Sequence, residues 1–159
     1  RLDRELERGS RIAASADADY NAFTRLSGML VLDGIPSEGR SVEELEAALK
    51  DQVQRLRDEP VSGAELNRVV RQTVASKVFE QDSVFYQAMQ VGLLDTVGLD
   101  WRLADAYVDN LKAVTADQIQ AVARKYLTDE NLTVGILDPQ PMDETVAARA
   151  NTEVSHARH

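Results

Sequence analysis

The amino-acid sequence predicts an α+β fold in which strands come first and helices follow. Residues 10–23 alternate small apolar and polar side chains, residues 24–32 are rich in apolar side chains, and a further apolar run lies within residues 131–137. Between them, residues 41–127 carry apolar stripes at helical spacing, and most of these stripes start at a capping residue. Runs of strands followed by runs of helices are typical of α+β domains, whereas alternating elements would indicate a parallel α/β sheet.

Residues 1–37 predict a helix end and two strands. The segment 2–8 is short and charged, and Gly9 is expected to end it as a helix. The segment 10–23 alternates small apolar and polar residues with period two, which predicts a strand. The segment 24–32 is predicted to be the second strand, and residues 34–37 (Gly-Ile-Pro-Ser) the turn that ends it.

Two capping boxes predict the next two helices. Ser41 with Glu44, and Ser62 with Glu65, can each satisfy free N–H groups in a first helical turn. The polar run 80–83 is expected to bend or break the second helix. Before Pro60 one apolar stripe is predicted at helical spacing: Val42, Leu45, Leu49, Val53 and Leu56. In the second helix the residues predicted to face inward are Leu66, Val69, Val70, Thr73 and Val74, and after the break the helix is predicted to resume through Phe85, Met89, Leu93 and Val97.

Two more helices and a strand complete the predicted domain. Asp100 is expected to cap one helix, and Thr115 with Gln118 forms a third capping box. The segment 131–137 is predicted to be a strand that returns to the sheet of the first two. Residues 1–139 are therefore predicted to form a single α+β domain, followed by a tail over 140–159. Three strands make a narrow sheet for so many helices, so we expect further strands before Arg1.

Composition excludes several functional classes. The net charge of −9 argues against nucleic-acid binding, and no apolar run approaches the roughly 18 residues of a membrane span. The chain has no cysteine, and its two histidines, His156 and His159, both lie in the predicted tail. Zinc sites and serine or cysteine nucleophile sites depend on these residue types. We therefore predict no metal site and no catalytic residue in the body of the domain.

The remaining polar and aromatic groups have plain interpretations that we prefer. Asp17 and Asp19 share a strand face and could meet a divalent cation, but a solvated strand end is the preferred interpretation. The run 80–82 (Glu-Gln-Asp) could line a chamber, but a solvated helix break is the preferred interpretation. The larger aromatic residues lie on helical stripes and are expected in the core: Trp101, Tyr107 and Tyr126.

Four segments of the chain form an ordered set of recognisable motifs. The longest is LKAVTADQIQAVARKYL (111–127), which is followed by a short loop and a run ending at Pro139. Upstream lie GIP (34–36), SVEEL (41–45) and PVSGAEL (60–66). These segments resemble segments of the pitrilysin/insulinase family of zinc metallopeptidases, and their order and spacing agree over roughly residues 1–139.

The resemblance implies a mostly antiparallel sheet with several helices packed on one face, one half of a pitrilysin/insulinase-like metallohydrolase. Such peptidases have two similar α+β domains facing each other across a substrate chamber, and only the first carries the H-x-x-E-H zinc motif. This chain lacks that motif and resembles the later part of the zinc-free second domain. It is thus expected to be no enzyme by itself and to hold no cofactor, with zinc in a partner domain of the same or a neighbouring polypeptide.

Further expectations concern partners and location. The resemblance implies a peptide substrate shared with the zinc-bearing domain, and analogy with bacterial relatives favours the periplasm. Open sheet edges attract other strands, so we also expect self-association or domain exchange.

One pair of functional residues can be tested by position. Many family members carry an Arg and a Tyr in the second domain, in a segment like L-R-E-x-x-G-x-x-Y, that orient the substrate. Aligning Leu6 with the motif's Leu puts Glu7 at the Arg position and Ala14 at the Tyr position, which removes both functions. Arg11 and Tyr20 are the nearby candidates that could compensate as substrate-binding residues.

Two other functions stay open. The chain could be a structural or assembly module of a relative that has lost catalysis, which the residues Glu7 and Ala14 favour. Alternatively, it could be an unrelated helical binding module, in which case residues 131–137 would not join a sheet with residues 10–32.

Overall fold

The computed structural model describes residues 1–80 and 82–138, and it confirms the α+β fold class. In the described part of the chain, a two-stranded antiparallel sheet is followed by five α-helices. The elements are a π-helix at Asp3–Gly9, strands β1 (Ala13–Tyr20) and β2 (Leu30–Pro36), helices α1 (Val42–Asp58), α2 (Gly63–Glu80), α3 (Val84–Thr96), α4 (Leu103–Lys112) and α5 (Ala116–Tyr126), and a 3₁₀ turn at Asp129–Asn131. The predicted tail lies outside the described residues, and the domain boundary stays a prediction.

The strands confirm the first predicted strand and correct the second. β1 lies inside the predicted range 10–23, but β2 begins at Leu30 and continues through the predicted turn to Pro36. Gly34 permits this, since a Cβ there would lie 3.0 Å from the Ser15 carbonyl oxygen and 3.2 Å from Leu45 Cδ2. The turn comes after the strand, where Gly39 adopts a φ of 78°.

Small residues on β1 let α1 pack closely against the sheet. Ala16 lies opposite Gly34 in the antiparallel register, and neither residue holds the helix away. The buried cluster contains Leu6 of the π-helix, Ala13 and Ala16 of β1, and Leu45 of α1. This cluster explains why one face of the sheet carries small residues at the level where the helix crosses it.

The capping box at the start of α1 is present as predicted, and side chains of α5 complete the other end. The Ser41 hydroxyl accepts the Glu44 N–H, while the Glu44 carboxylate accepts the Ser41 N–H. At the far end, the carbonyl oxygen of Arg57 accepts hydrogen bonds from Gln120 Nε2 at 3.1 Å and Arg124 Nε at 2.7 Å. Because terminal carbonyls lack partners within their own helix, these bonds tie α5 to α1.

The second and third capping boxes differ in outcome. Thr115 and Gln118 form both reciprocal hydrogen bonds at the start of α5. At α2 the Ser62 hydroxyl accepts the Glu65 N–H, but the Glu65 carboxylate accepts two hydrogen bonds from Arg1, at 2.9 and 2.7 Å. The tertiary ion pair therefore replaces half of the predicted box.

The predicted break after α2 is confirmed, and the predicted cap of α4 is corrected. Helix α2 ends at Glu80, and the Ser83 hydroxyl accepts the Tyr86 N–H to start α3. Asp100 accepts the Arg102 N–H at 2.9 Å, which forms a turn rather than a helix cap. Helix α4 then starts at Leu103 without a capping side chain.

The predicted strand at residues 131–137 is wrong. Asn131 ends the 3₁₀ turn, and Leu132 enters an extended segment with φ −90° and ψ 131°. Within the described residues this segment pairs with neither strand of the sheet. Its alternation has the period of a strand, but a strand also needs a neighbour, which sequence alone does not supply.

Candidate interaction surface

The described residues hold no cluster of three or more His, Cys, Asp or Glu side chains that could bind a metal ion. His156 and His159, the two histidines of the predicted tail, lie outside that part of the chain. None of the described helices combines the length and apolar character that crossing a bilayer requires. A polar cavity of about 160 Å³ is lined by residues that include Arg1, Arg4 and Gln52, which is smaller than the roughly 300 Å³ at which ligand pockets begin.

Glu7 has a structural role at the edge of the sheet. Its Oε1 accepts the backbone N–H of Ala16 at 2.9 Å. Ala14, which aligns with the substrate-binding Tyr of the motif, is exposed on β1. Neither residue therefore offers the group that the motif's Arg or Tyr would supply. The Glu7 carboxylate instead stabilises the contact between the π-helix and β1.

Arg11 and Tyr20, the substitutes considered for that pair, lie near opposite ends of β1. Arg11 precedes the strand, is exposed and adopts a φ of 54°, and Tyr20 is 58% exposed beside Gly28. Each stays a candidate for substrate binding.

The acidic residues divide into a solvated set and a structural set. Asp17 and Asp19 share the open sheet face, and Asp33 lies directly opposite Asp17. At the α2–α3 corner, Glu80 accepts hydrogen bonds from Lys77 at 2.6 Å and from Gln90 at 3.3 Å. The Glu80 carboxylate therefore joins the two helices across the break, which explains it without a chamber-lining role.

The principal surprise is an apolar ridge on α3. Phe85, Met89 and Leu93 follow each other at i, i+4 and i+8 along the helix that the sequence predicts after the break. In the structure they are 75%, 44% and 41% exposed, whereas the next residue, Leu94, is only 2% exposed. Helix α3 therefore packs through the Leu94 side and leaves this apolar stripe in solvent.

Two further apolar side chains lie at the corner between α2 and α3. Phe79 and Val84 are also largely exposed there. With roughly 150 Å² from each exposed Phe, this corner surface amounts to several hundred Å² of apolar area. Patches of that size on soluble proteins usually mark an interaction site. We refer to Phe79, Val84, Phe85, Met89 and Leu93 as the corner surface.

Two aromatic residues predicted to lie in the core are exposed as well. Trp101 and Tyr126 are each about half exposed, and cationic side chains stack on both rings at 4.8 Å, Arg102 on Trp101 and Lys125 on Tyr126. Tyr107 is half-buried, with Lys77 lying 5.3 Å from its ring centroid. The prediction placed Tyr107 and Tyr126 on helices correctly, but Trp101 lies in the turn before α4, and periodicity could not reveal which helix faces meet another element.

Comparison with solved structures identifies the fold. Over 88% of this chain, the fold superposes on a proposed zinc protease from Bordetella pertussis Tohama I, with a TM-score of 0.75 and 20% identity. Over 90%, it superposes on the inactive peptidase domain of a proposed zinc protease from Bordetella parapertussis, with a TM-score of 0.74 and 20% identity. The chain has the fold of a zinc protease domain.

A third neighbour shows the same fold within a longer protein. A protease from Helicobacter pylori matches 82% of this chain with a TM-score of 0.72 and 19% identity, but the chain spans only 31% of that protein. It spans 76% of each Bordetella chain. No protein-family model matches the sequence. No curated protein matches it either.

The zinc protease fold bears on the alternatives left open by the sequence. The predicted resemblance to a zinc-free peptidase domain is confirmed at the level of fold, in agreement with the inactive Bordetella parapertussis domain. Residues 132–138 do stay out of the sheet, as an unrelated helical module would require. Agreement over more than four-fifths of the chain outweighs one unpaired segment, so we reject the unrelated module.

Proposed function

We propose that this chain is the zinc-free domain of a zinc endopeptidase of the pitrilysin/insulinase type. It packs against a zinc-bearing domain of the same or a neighbouring polypeptide and closes a chamber around a peptide substrate. The partner supplies the metal and the activated water, and this chain supplies surface. The observation that carries the proposal is the corner surface, an apolar helix face left in solvent by a chain whose fold is that of an inactive peptidase domain.

The size of the corner surface supports docking of a folded partner. Three ridge residues at helical spacing offer the pattern that another helix or a groove recognises. Specific protein interfaces bury about 800 Å² on each partner. The several hundred Å² of the corner surface would supply the apolar centre of such an interface, and the half-exposed rings of Trp101 and Tyr107 could extend it.

Reconstitution tests the proposal directly. The partner to use is the H-x-x-E-H domain encoded in the same or the adjacent reading frame, with zinc and a fluorogenic unfolded peptide. We expect no cleavage by this chain with zinc, weak cleavage by the partner alone, and at least about tenfold faster cleavage by the mixture. Metal-dependent turnover by this chain alone that survives repurification would refute the proposal, as would a mixture no faster than the partner.

Matched variants locate the surface. Phe85→Ser removes a largely exposed aromatic from the ridge and should abolish most of the stimulation, because interface aromatics often contribute 2 kcal/mol or more. Tyr126→Ser removes a comparably exposed aromatic from α5, which packs on α1, and should leave stimulation intact. Equal effects of both variants would show that the corner surface is not the docking face.

A structural or assembly module is the second candidate function, and Glu7 favours it. At the position where a substrate-orienting Arg would stand, the carboxylate instead accepts the backbone N–H of Ala16 at the edge of the sheet. The same reconstitution separates the two functions. A complex that assembles through Phe85 but cleaves no peptide would support the structural role.

A further inference from the structure

The corner between α2 and α3 has little apolar packing to hold it. Among the described residues, neither α2 nor α4 has a buried side chain, and α3 has one, Leu94. Both α2 and α3 contact α4. The angle between two helices is usually set by apolar ridges that interlock, and few such contacts exist at this corner. The angle between α2 and α3 therefore depends on the polar and aromatic side chains that bridge the helices.

Lys77, in the last turn of α2, makes the central contacts. Its ammonium group lies 2.6 Å from Glu80 Oε2 and 5.3 Å from the centre of the Tyr107 ring on α4. The first contact is a charge-assisted hydrogen bond, and the second lies within the range of cation–π attraction. The side chains of Lys77 and Glu80 are only 26% and 23% exposed, so salt and water weaken this pair less than a pair on the open surface.

The same contacts extend to α3 and to the connection between the two strands. Gln90 of α3 donates a hydrogen bond to the same Glu80 oxygen at 3.3 Å. On the other side, the Phe23 ring lies 6.3 Å from the Tyr107 ring, a separation typical of aromatic pairs. Phe23 belongs to the connection between β1 and β2, residues 21–29. A continuous series of contacts therefore joins this connection to α4, α2 and α3.

We infer that Lys77 is the positioning residue of the corner surface and couples that surface to the β1–β2 connection. Phe79 lies near the end of α2 and Phe85 in the first turn of α3, so their separation depends on the angle between the two helices. Lys77 holds this angle through Glu80 and Gln90. The Tyr107 ring on which Lys77 rests is itself held by Phe23, so displacement of Phe23 changes the corner surface.

The effect of removing the ammonium group follows from the burial of its partner. Without Lys77, the half-buried Glu80 carboxylate keeps the single hydrogen bond from Gln90, at 3.3 Å, which does not offset its loss of water. The carboxylate then turns to solvent, and the link to α3 is lost with it. The corner samples several angles, and only a fraction of the molecules present Phe79 and Phe85 in their original arrangement.

The angle can be measured in the full 159-residue chain without a partner. The sequence has no cysteine, so nitroxide labels can be attached to Gln72→Cys on α2 and Ala88→Cys on α3, both at exposed positions. Electron paramagnetic resonance should give one narrow distance distribution for the labelled chain and a broader or shifted one when Lys77→Met is added. Lys77→Arg should keep the narrow distribution, because a guanidinium group can also pair with Glu80 and stack on an aromatic ring.

Matched variants test each step of the coupling. Lys112→Met makes the same substitution at an exposed ion pair on α4 and should leave the distribution unchanged. Phe23→Ala should broaden it, whereas Leu26→Ala, which removes an 82% exposed side chain from the same connection, should not. Tyr107→Leu removes the ring and should act like Lys77→Met, which gives a second test if one variant folds poorly. Circular dichroism checks that each variant retains its helices.

A second measurement rests on the proposed function. When this chain is titrated into the zinc-bearing domain, Lys77→Met should raise the concentration needed for half-maximal stimulation about fivefold, because fewer molecules have the binding arrangement. The maximal stimulated rate should be unchanged, since saturating concentrations select that arrangement. Lys77→Arg and Lys112→Met should both behave like the unchanged chain.

Three results would overturn the inference: a distance distribution that Lys77→Met leaves unchanged, equal broadening by Lys77→Met and Lys112→Met, and no change on Phe23→Ala. The distances need no partner, so they test Lys77 independently of the proposed function. Broadening by Lys77→Met, together with a mixture that cleaves no faster than the zinc-bearing domain alone, would support the role of Lys77 and refute the proposed function.

Discussion

Leu93 and Leu94 are neighbours on α3, and replacing each with alanine tests whether the ridge faces solvent. The two substitutions remove the same atoms from adjacent positions of one helix, so the change in helix propensity is equal. The positions differ in exposure, 41% at Leu93 and 2% at Leu94. Any difference between the two losses of unfolding free energy therefore reports how each side chain is packed.

The magnitudes follow from the carbon atoms lost. Leucine to alanine deletes three carbons, at about 0.8 kcal/mol for each when buried, or about 2.4 kcal/mol in total. Leu94 is almost fully buried, and the cavity left behind raises the expected cost to about 3 kcal/mol. Folding removes the Leu93 side chain from water only in part, and water can occupy the space left by the alanine substitution. The loss of unfolding free energy at Leu93 is therefore about 1.4 kcal/mol at most.

Urea unfolding monitored by the fluorescence of Trp101, the single tryptophan, and by circular dichroism measures both costs. With a slope near 1.5 kcal/mol per molar urea, Leu94→Ala should lower the midpoint by about 2 M and Leu93→Ala by less than about 1 M. The comparison needs equal slopes for the two variants. Equal destabilisation by both substitutions would refute the reasoning, since the ridge would then be buried in solution.

Two further predictions concern the polar contacts that hold the helices in place. Arg1 hydrogen-bonds the Glu65 carboxylate and holds its pKa below the ordinary value of 4.5, so this ion pair stabilises the fold above that pH and the stabilisation is lost as the pH falls below it. Glu65→Gln should therefore lower the free energy of unfolding by about 1–2 kcal/mol at neutral pH, and by progressively less in unfolding measurements below pH 4.5. A difference between wild type and variant that stays constant with pH would contradict this account. Arg124→Ala removes a hydrogen bond to the Arg57 carbonyl at the end of α1 and should lower the free energy of unfolding by about 1 kcal/mol in the same assay. The neighbouring control, Lys125→Ala, should lower it by less. A larger loss for Lys125→Ala than for Arg124→Ala would exclude the capping role.

Local signals predicted the helix starts well. The capping boxes at Ser41 and Thr115 are present because each depends on two side chains three residues apart, which the sequence shows directly. Ser62 predicted its helix too, but the matching Glu65 carboxylate bonds to Arg1, 64 residues away. A distant partner can thus displace a local one, and no local pattern announces it.

Non-local structure was predicted less well, for a related reason. Alternation identified residues 131–137 as suited to a strand, but it could not say whether a neighbouring strand is present. Helical periodicity likewise placed Phe85, Met89 and Leu93 on one face without revealing what that face meets. The hydrogen bond from Ala16 to Glu7 had no sequence signal at all, because it depends on how the π-helix lies against β1.

The distribution of apolar side chains connects these observations. Among the described residues, the buried hydrophobic set contains nothing larger than leucine, namely Leu6, Ala13, Ala16, Leu45, Leu94 and Ala123. Most of the large apolar and aromatic side chains lie in solvent instead, including both Phe79 and Phe85. Since burial of apolar area is the main source of folding free energy, much of the stability available to this sequence is realised only when another surface covers it. Stability and assembly should therefore be coupled, with partner binding raising the unfolding midpoint of this chain.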